Sequence, residues 1–355
     1  MAQMKKFILS LLLVMTGLGM TATEYGYRVE KIWDNGMYCA FTSLIKYKGY
    51  YYCTFREGKS HIFDEKGKAE GQIRIIRSKN LKKWESVLLT GEAGKDLRDP
   101  KLSITPDGRL MVSIGVSVYV GRVYKEQYSC TFFSTDGTHY TKPQRCQISG
   151  SDKHKGDWIW RVTWHGGTGY AVNYYTIDKE KFKTQLLGTT DGVNFKVISE
   201  FDIPGFPNEG TIRFYPDGRM AVMIRRDGRD CSTYWAVSPA PYTQWEWYEM
   251  PFFIGGPDFQ IVNDRLMVAG GRSNQNPDWC TTCIYSGSPE NADLHPTFTL
   301  PSGGDTSYPG ILVEKDEIIV SYYSGHETKR PSIYLARIPL KNFDWGFERT
   351  DVKYE

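Results

Sequence analysis

The chain has 355 residues, 40% hydrophobic and 24% charged, which excludes a disordered chain and suffices for one large domain or two medium ones. A net charge of +3, from 44 basic and 41 acidic residues, excludes nucleic acid or an anionic membrane as an electrostatic partner. Aromatics reach 14%, with 24 Tyr and 10 Trp, a composition of β structure and of many sugar-handling proteins.

Residues 1–23 read as a secretory signal peptide. Lys5 and Lys6 form a basic start, Phe7 to Met15 an apolar run, and small residues lead to cleavage near Ala22 or Thr23. The run is too short to span a bilayer. No cysteine follows it until Cys39, which argues against a lipoprotein anchor. The mature chain is therefore expected to be secreted or periplasmic, with 42 basic residues (44 less Lys5 and Lys6) against 41 acidic ones.

Residues 24–355 read as a single all-β domain. The segment "YGYRVEKIWD", Tyr25 to Asp34, is a lone strand. Six hairpins follow, turning at Lys48-Gly49, Asp107-Gly108, Gly166-Gly167, Asp217-Gly218, Asn263-Asp264 and Lys315-Asp316. Successive turns lie 59, 59, 51, 46 and 52 residues apart. Turn dipeptides of Gly, Asn and Asp between β-rich runs are strong hairpin signals. Each hairpin leads to a third strand and a compact turn. Two of these turns read Ser/Thr-x-Asp-Gly-x-x-aromatic, at Ser134 to Tyr140 and Thr189 to Phe195, with degenerate copies at Ser78 to Trp84 and Ser238 to Trp245. In such a turn the Asp caps the backbone and the aromatic tucks beneath. Units of about 50 residues with about four strands are propeller blades. The expected fold is a six-bladed β-propeller of four-stranded antiparallel blades, with Tyr25 to Asp34 closing the ring on the sixth.

The seven cysteines, at 39, 53, 130, 146, 231, 280 and 283, cannot all pair internally. "WCTTC" at Trp279 to Cys283 has redox spacing, but the segment reads as a strand and no second Cys or His pair follows at zinc spacing. No metal and no cofactor is expected.

In a propeller the inner strand of each blade starts, and the second strand ends, at one face beside the axis. The residues this rule gathers include Arg56, His61, Arg98, Asp99, Arg161, Glu209, Arg225 or Arg226, Asp258, Arg272, Tyr308 and His326. Ionisable groups crowded on one axis are costly unless they pair or bind something. Convergent arginines suit an anionic group.

Six blades with these turns and this face resemble the sialidase (neuraminidase) superfamily. The match lies in Glu209 on the fourth inner strand, Arg225 at the end of that hairpin, Arg272 on the fifth blade and Tyr308 in "GGDTSYPG" on the sixth. The resemblance implies an exo-acting, retaining glycoside hydrolase. In it Tyr308 attacks the anomeric carbon, Glu209 is its base, and the arginines hold the carboxylate of an acidic sugar. The partner is then a glycan; oligomeric state is left open.

Two features depart from that pattern. The family has an arginine on the first inner strand, where this chain reads "YCAFTSL" with Ala40. Either Arg56, one hairpin on, replaces it, or the substrate is not sialic acid. The family's acid lies in the loop after the first hairpin, where His61 and Asp64 compete in "REGKSHIFDEKGKAEG". Three other readings stay open. "RDP" at Arg98 to Pro100 resembles a furanosidase motif, with Asp99, Glu209 and Asp258 as acid and base on another sugar. A polysaccharide lyase would use Tyr308 or His61 as base. A non-catalytic glycan-binding propeller would keep the arginines alone.

Overall fold

A computed structural model describes residues 26–150, 155–178, 181–229, 232–263, 266–274 and 280–343. Residues 1–23, expected to be a signal peptide, and Tyr25, Asp264 and Cys231 lie outside them. Six sheets, antiparallel except for one edge strand of the third, follow in chain order as the six blades of a β-propeller. Gly49, Gly108, Gly167 and Gly218 all take left-handed φ of +77° to +85° at their hairpin turns, which explains the glycine at each.

The inner strands are Tyr38–Tyr47, Lys95–Ile104, the split pair Lys155–Ile159 and Thr163–His165, then Pro207–Phe214, Gly255–Asn263 and Thr306–Val313. Blade three departs from four strands: its inner strand breaks at Arg161, and Gln147–Ser149 adds a parallel strand to its outer edge. The ring closes where expected. Arg28–Trp33 pairs antiparallel with Ser332–Pro339, so the outermost strand of blade six comes from the N-terminal side of blade one.

Alternation along each strand places apolar side chains between blades. Between blades one and two, for example, Tyr52, Ile73 and Ile75 pack with Leu97, Leu110 and Val112. At the axis the inner strands are tied by side-chain hydrogen bonds. Thr42 Oγ1 donates to Tyr308 O at 2.9 Å, Ser43 Oγ accepts from Leu102 N at 3.1 Å, and Thr211 Oγ1 donates to Pro257 O at 2.7 Å. This hub fixes one blade's inner strand against the next.

Two of the compact turns behave as their sequence requires. Asp136 Oδ1 accepts from Thr138 N and His139 N at 2.7 and 2.8 Å, and Asp191 Oδ1 from Val193 N and Asn194 N at 2.8 and 2.7 Å. Asn80 does the same more weakly in blade one, from Lys82 N and Lys83 N at 3.0 and 3.2 Å. Cys39, Cys53, Cys130, Cys146, Cys280 and Cys283 are free thiols.

Candidate active site

The same irregularity recurs in five inner strands. The register slips between Ala40 and Ser43, Arg98 and Lys101, Pro207 and Gly210, Gly255 and Asp258, and Ser307 and Gly310. A bulge adds a residue, bends the strand and re-aims a side chain. Pro100, Pro257 and Pro309 sit inside these bulges, where a residue with no N–H is tolerated. Phe41, Asp99 and Tyr308 hold left-handed φ of 65°, 48° and 48° there. Such backbone costs about 1–3 kcal/mol per non-glycine residue and is retained where function requires it.

The bulges bring Tyr308 and Glu209 together. The Tyr308 hydroxyl donates to Glu209 Oε1 at 2.7 Å. Arg225 Nη1 lies 2.9 Å from Glu209 Oε2 and 2.8 Å from the Tyr308 oxygen, so one guanidinium nitrogen contacts both groups. Arg225 Nε is held by Asp227 at 2.8 Å. Gly256 N donates to Glu209 Oε2 at 3.0 Å. Gly256 has φ +61°, and a Cβ there would stand 2.7 Å from the Tyr308 ring, so only glycine lets the phenol lie against this backbone. Burial and the Glu209 charge push the Tyr308 phenol well above its ordinary range, while Arg225 pulls it back. Strand alternation decides between the two arginines. Arg225 faces the axis, and Arg226 turns away to Ser232 O at 2.8 Å and to Glu249.

Asp99 is buried beside this pair, its Oδ1 has no partner among the described residues, and Arg98 Nε is 4.0 Å from its Oδ2. Burial pushes its carboxyl up, and Arg98 offsets that only in part. Arg272 is half-buried at the site, and its Nε finds no acceptor among the described residues. Phe41 and Trp160 wall the phenol, with ring centroids 5.0 and 5.8 Å from that of Tyr308.

His61 lies at the rim. Its Nδ1 is 2.8 Å from Asp305 Oδ2, and its Nε2 is 3.3 Å from Arg98 Nη2. Arginine can only donate, so Nε2 accepts and the proton sits on Nδ1 toward Asp305. Tyr38 and Tyr323 also donate to Asp305, the latter at 3.0 Å. Burial alone would raise the Asp305 carboxyl, but its His61 and Tyr38 hydrogen bonds win and hold it low.

Several residues gathered by the strand rule are engaged elsewhere. Arg56 is 1% exposed and donates to Asp96 Oδ1 through Nε and Nη2 at 2.8 and 2.7 Å and to Ser60 O through Nη1 at 2.8 Å. All three of its guanidinium nitrogens are spent, which counts against its replacing the arginine missing at Ala40. Arg98 shares Asp96, through Oδ2 at 3.0 Å. Asp258 pairs with Arg161 at 3.3 Å and Arg213 at 2.6 Å, and accepts from Phe259 N and Ile311 N, both at 2.9 Å. Its oxygens are filled, so it braces the hub. Asp64 turns into its own loop and accepts from Lys66 N and Lys68 N, both at 2.9 Å. His326 packs on Tyr334 at 4.5 Å and contacts Ser324 Oγ at 3.0 Å; among the described residues no hydrogen bond joins it to the axial network.

Sequence reasoning passed over Lys101, Trp160, Asp305 and the Gly256 amide. Lys101 lies two residues after Asp99, but the register slip between Arg98 and Lys101 falls between them, so simple alternation does not place it. The others depend on how bulges and loops from different blades meet.

No protein-family model and no curated protein matches this sequence. Solved structures do. A protein of unknown function from Dyadobacter fermentans superposes with a TM-score of 0.75 at 19% identity, over 88% of this chain and 99% of that one. A sialidase from Trypanosoma rangeli, captured as a covalent intermediate with 2,3-difluorosialic acid, gives 0.67 at 10% identity, over 85% of this chain and 54% of that one. This chain thus spans about half the length of that sialidase. The α-L-arabinofuranosidase Arb93a from Fusarium graminearum gives 0.62 at 10% identity, over 86% of this chain and 94% of that one. These likenesses establish a shared fold.

Proposed function

We propose that the protein is an exported, exo-acting, retaining glycosidase that removes an acidic sugar from a glycan. The observation that carries this is the Tyr308–Glu209 hydrogen bond of 2.7 Å with Arg225 in contact with both groups. A neutral phenol is a poor nucleophile. Here its proton has a carboxylate to go to, and the negative charge moves between two oxygens that the same guanidinium touches. The shift therefore leaves little charge unbalanced in a buried site.

In the first step Glu209 takes the phenolic proton and the Tyr308 oxygen bonds to the anomeric carbon. The bond from that carbon to the leaving oxygen breaks, its electron pair goes to that oxygen, and Asp99 supplies the proton. In the second step water attacks the anomeric carbon and gives a proton to Asp99. The tyrosyl–carbon bond breaks, and the phenolate recovers its proton from Glu209. The net change is glycoside plus water to sugar plus alcohol, with retention after two displacements. Asp99 is the acid because it is buried and raised and its Oδ1 has no hydrogen-bond partner among the described residues. Both nitrogens of His61 are engaged, and Asp64 caps its own loop. Arg272 holds the anionic group of the sugar. The position of a further arginine is apolar, filled by Ala40 and Phe41. A sialidase and an arabinofuranosidase on this fold support the glycosidase class.

The test is release of monosaccharide by purified protein from a panel of sialosides, uronides and neutral glycosides, with Tyr308→Phe in parallel. The expected result is turnover of an acidic glycoside that Tyr308→Phe loses by orders of magnitude while keeping its fold. A second reading is favoured by the open Oδ1 of Asp99 and by the arabinofuranosidase: Asp99 and Glu209 act directly on a neutral sugar. Turnover of neutral furanosides that survives Tyr308→Phe would select it.

A further inference from the structure

Lys101 is 2% exposed, and its ammonium has no hydrogen-bond partner among the described residues. An unpaired buried ammonium is among the costliest groups a fold can hold. It lies over two aromatic faces, 4.5 Å from the Trp160 ring centroid and 5.9 Å from that of Tyr308. Asp99, two residues away, makes no hydrogen bond with it, and the free Asp99 Oδ1 and free Lys101 Nζ remain separate. A cation at these distances is attracted by the ring quadrupole. That attraction does not explain why the fold keeps a full charge there, since an apolar side chain would fill the same space at less cost.

Resting on the proposed nucleophilic role of Tyr308, we propose that Lys101 is a counter-ion for the phenolate form of Tyr308, held under the ring by Trp160 so that it binds the charged nucleophile more strongly than the neutral one. When Tyr308 loses its proton, negative charge spreads from the oxygen into the ring. The contact below that ring then changes from cation–quadrupole to cation–anion. The gain is confined to the charged form, which is the condition for accelerating a step. Lys101 acts through Tyr308 and is a positioning residue. The hydroxyl end of the phenol is already covered by Glu209 and Arg225, so the ring face is where a second cation can act.

The charged groups around both partners are known. Asp99 from blade two, Arg161 from blade three, Glu209 from blade four and Asp258 from blade five act on Lys101. Glu209, Arg225, Asp99 and Arg272 act on Tyr308. Burial and then Arg161 bring the Lys101 ammonium down to about 8, so it carries its charge at neutral pH and loses it just above. A lysine lowered by burial costs stability fully below its folded value. That cost fades between about 8 and the ordinary 10.5.

The test uses Lys101→Met and Lys101→Gln, which keep length without charge, and Lys101→Arg, which keeps the charge. In the first arm, thermal unfolding at pH 7 is expected to show Lys101→Met at least as stable as wild type, with any gain shrinking between pH 8 and 10.5. In the second arm, 3,5-difluorotyrosine replaces Tyr308, its fluorines making the phenol more acidic and so bringing its ionisation toward the range in which Lys101 is charged, and that ionisation is followed by 19F NMR without substrate. The expected result is a rise in that ionisation by about one pH unit or more in Lys101→Met and Lys101→Gln, and its recovery in Lys101→Arg. An unchanged ionisation in both neutral variants, or a clear loss of stability in both, would overturn the proposal by making Lys101 structural. Because neither arm needs turnover, a shift in ionisation without any glycosidase activity would uphold the Lys101–Tyr308 coupling and reject the glycosidase reading instead.

Discussion

Glu209→Gln separates the roles at the centre of the site. Glu209 accepts three hydrogen bonds, from Tyr308 at 2.7 Å, Arg225 at 2.9 Å and Gly256 at 3.0 Å. Glutamine has nearly the same shape, and its carbonyl can keep the Arg225 and Gly256 bonds. Its amide then faces the phenol and donates where the carboxylate accepted, so Tyr308 has no place to send its proton. Breaking a buried ion pair costs about 3–5 kcal/mol when the surviving charge is stranded. Arg225 is not stranded, because Asp227 holds its Nε at 2.8 Å. The expected stability loss is therefore that of a charged hydrogen bond, about 1.5–3 kcal/mol by urea unfolding. Loss of a general base lowers kcat by about 10²–10⁴, or about 2.7–5.5 kcal/mol of barrier. The assay is steady-state turnover at saturating substrate on two glycosides that differ only in leaving group. Because Glu209 acts on the nucleophile, a more acidic leaving group should not rescue the variant. Activity within about tenfold of wild type, or rescue by the better leaving group, would refute the role of base.

Asp99→Asn should show the opposite pattern: severe loss with an alkyl leaving group, much less with an acidic phenol. Asp99 is raised by burial, so it donates a proton below its raised value and stops as pH rises through it. The alkaline fall in kcat/KM should therefore move or vanish in Asp99→Asn. A carboxyl raised in the fold costs stability above its unfolded value, so Asp99→Asn should be at least as stable as wild type at neutral pH, with the difference gone below the ordinary carboxylate range. Arg272→Met should raise KM for an acidic glycoside by the worth of a charged hydrogen bond, about 1.5–3 kcal/mol, and leave a neutral analogue unchanged. Gly256→Ala should cost about 1–2 kcal/mol for the left-handed backbone alone. It should also lower kcat by pressing on the phenol ring, a loss read by thermal unfolding and turnover together.

Much of the fold was legible because the repeat is local. Gly49, Gly108, Gly167 and Gly218 mark turns that need a left-handed residue, and Asp136 and Asp191 satisfy their own backbones within three residues. The spare strand was legible because an open blade six needs a partner for Ser332–Pro339. The axial meeting of Glu209, Arg225 and Tyr308 followed from where inner strands start and second strands end. The strand rule was less informative for Arg56 and Asp258, which lie on the right strands but are consumed by Asp96, Arg161 and Arg213. A strand position says which face a side chain takes and nothing about which partner reaches it first. Asp64 and His326 sit on loops, where that rule does not hold. The bulges were invisible as well, since nothing in "RDPK" or "SYPG" announces left-handed backbone at Asp99 or Tyr308.

In the proposed mechanism the Tyr308 oxygen forms a bond to sugar. Brief incubation with a fluorinated acidic glycosyl fluoride of whichever class the panel identifies, followed by acid quench, proteolysis and mass spectrometry, reads this directly. Fluorine next to the anomeric centre slows both displacements, while the fluoride leaving group restores the first, so an intermediate accumulates. The expected result is one added glycosyl unit on the peptide containing Tyr308, absent in Tyr308→Phe and released by exchange into fresh buffer. Label on Glu209 or Asp99, or inactivation that persists in Tyr308→Phe, would contradict it.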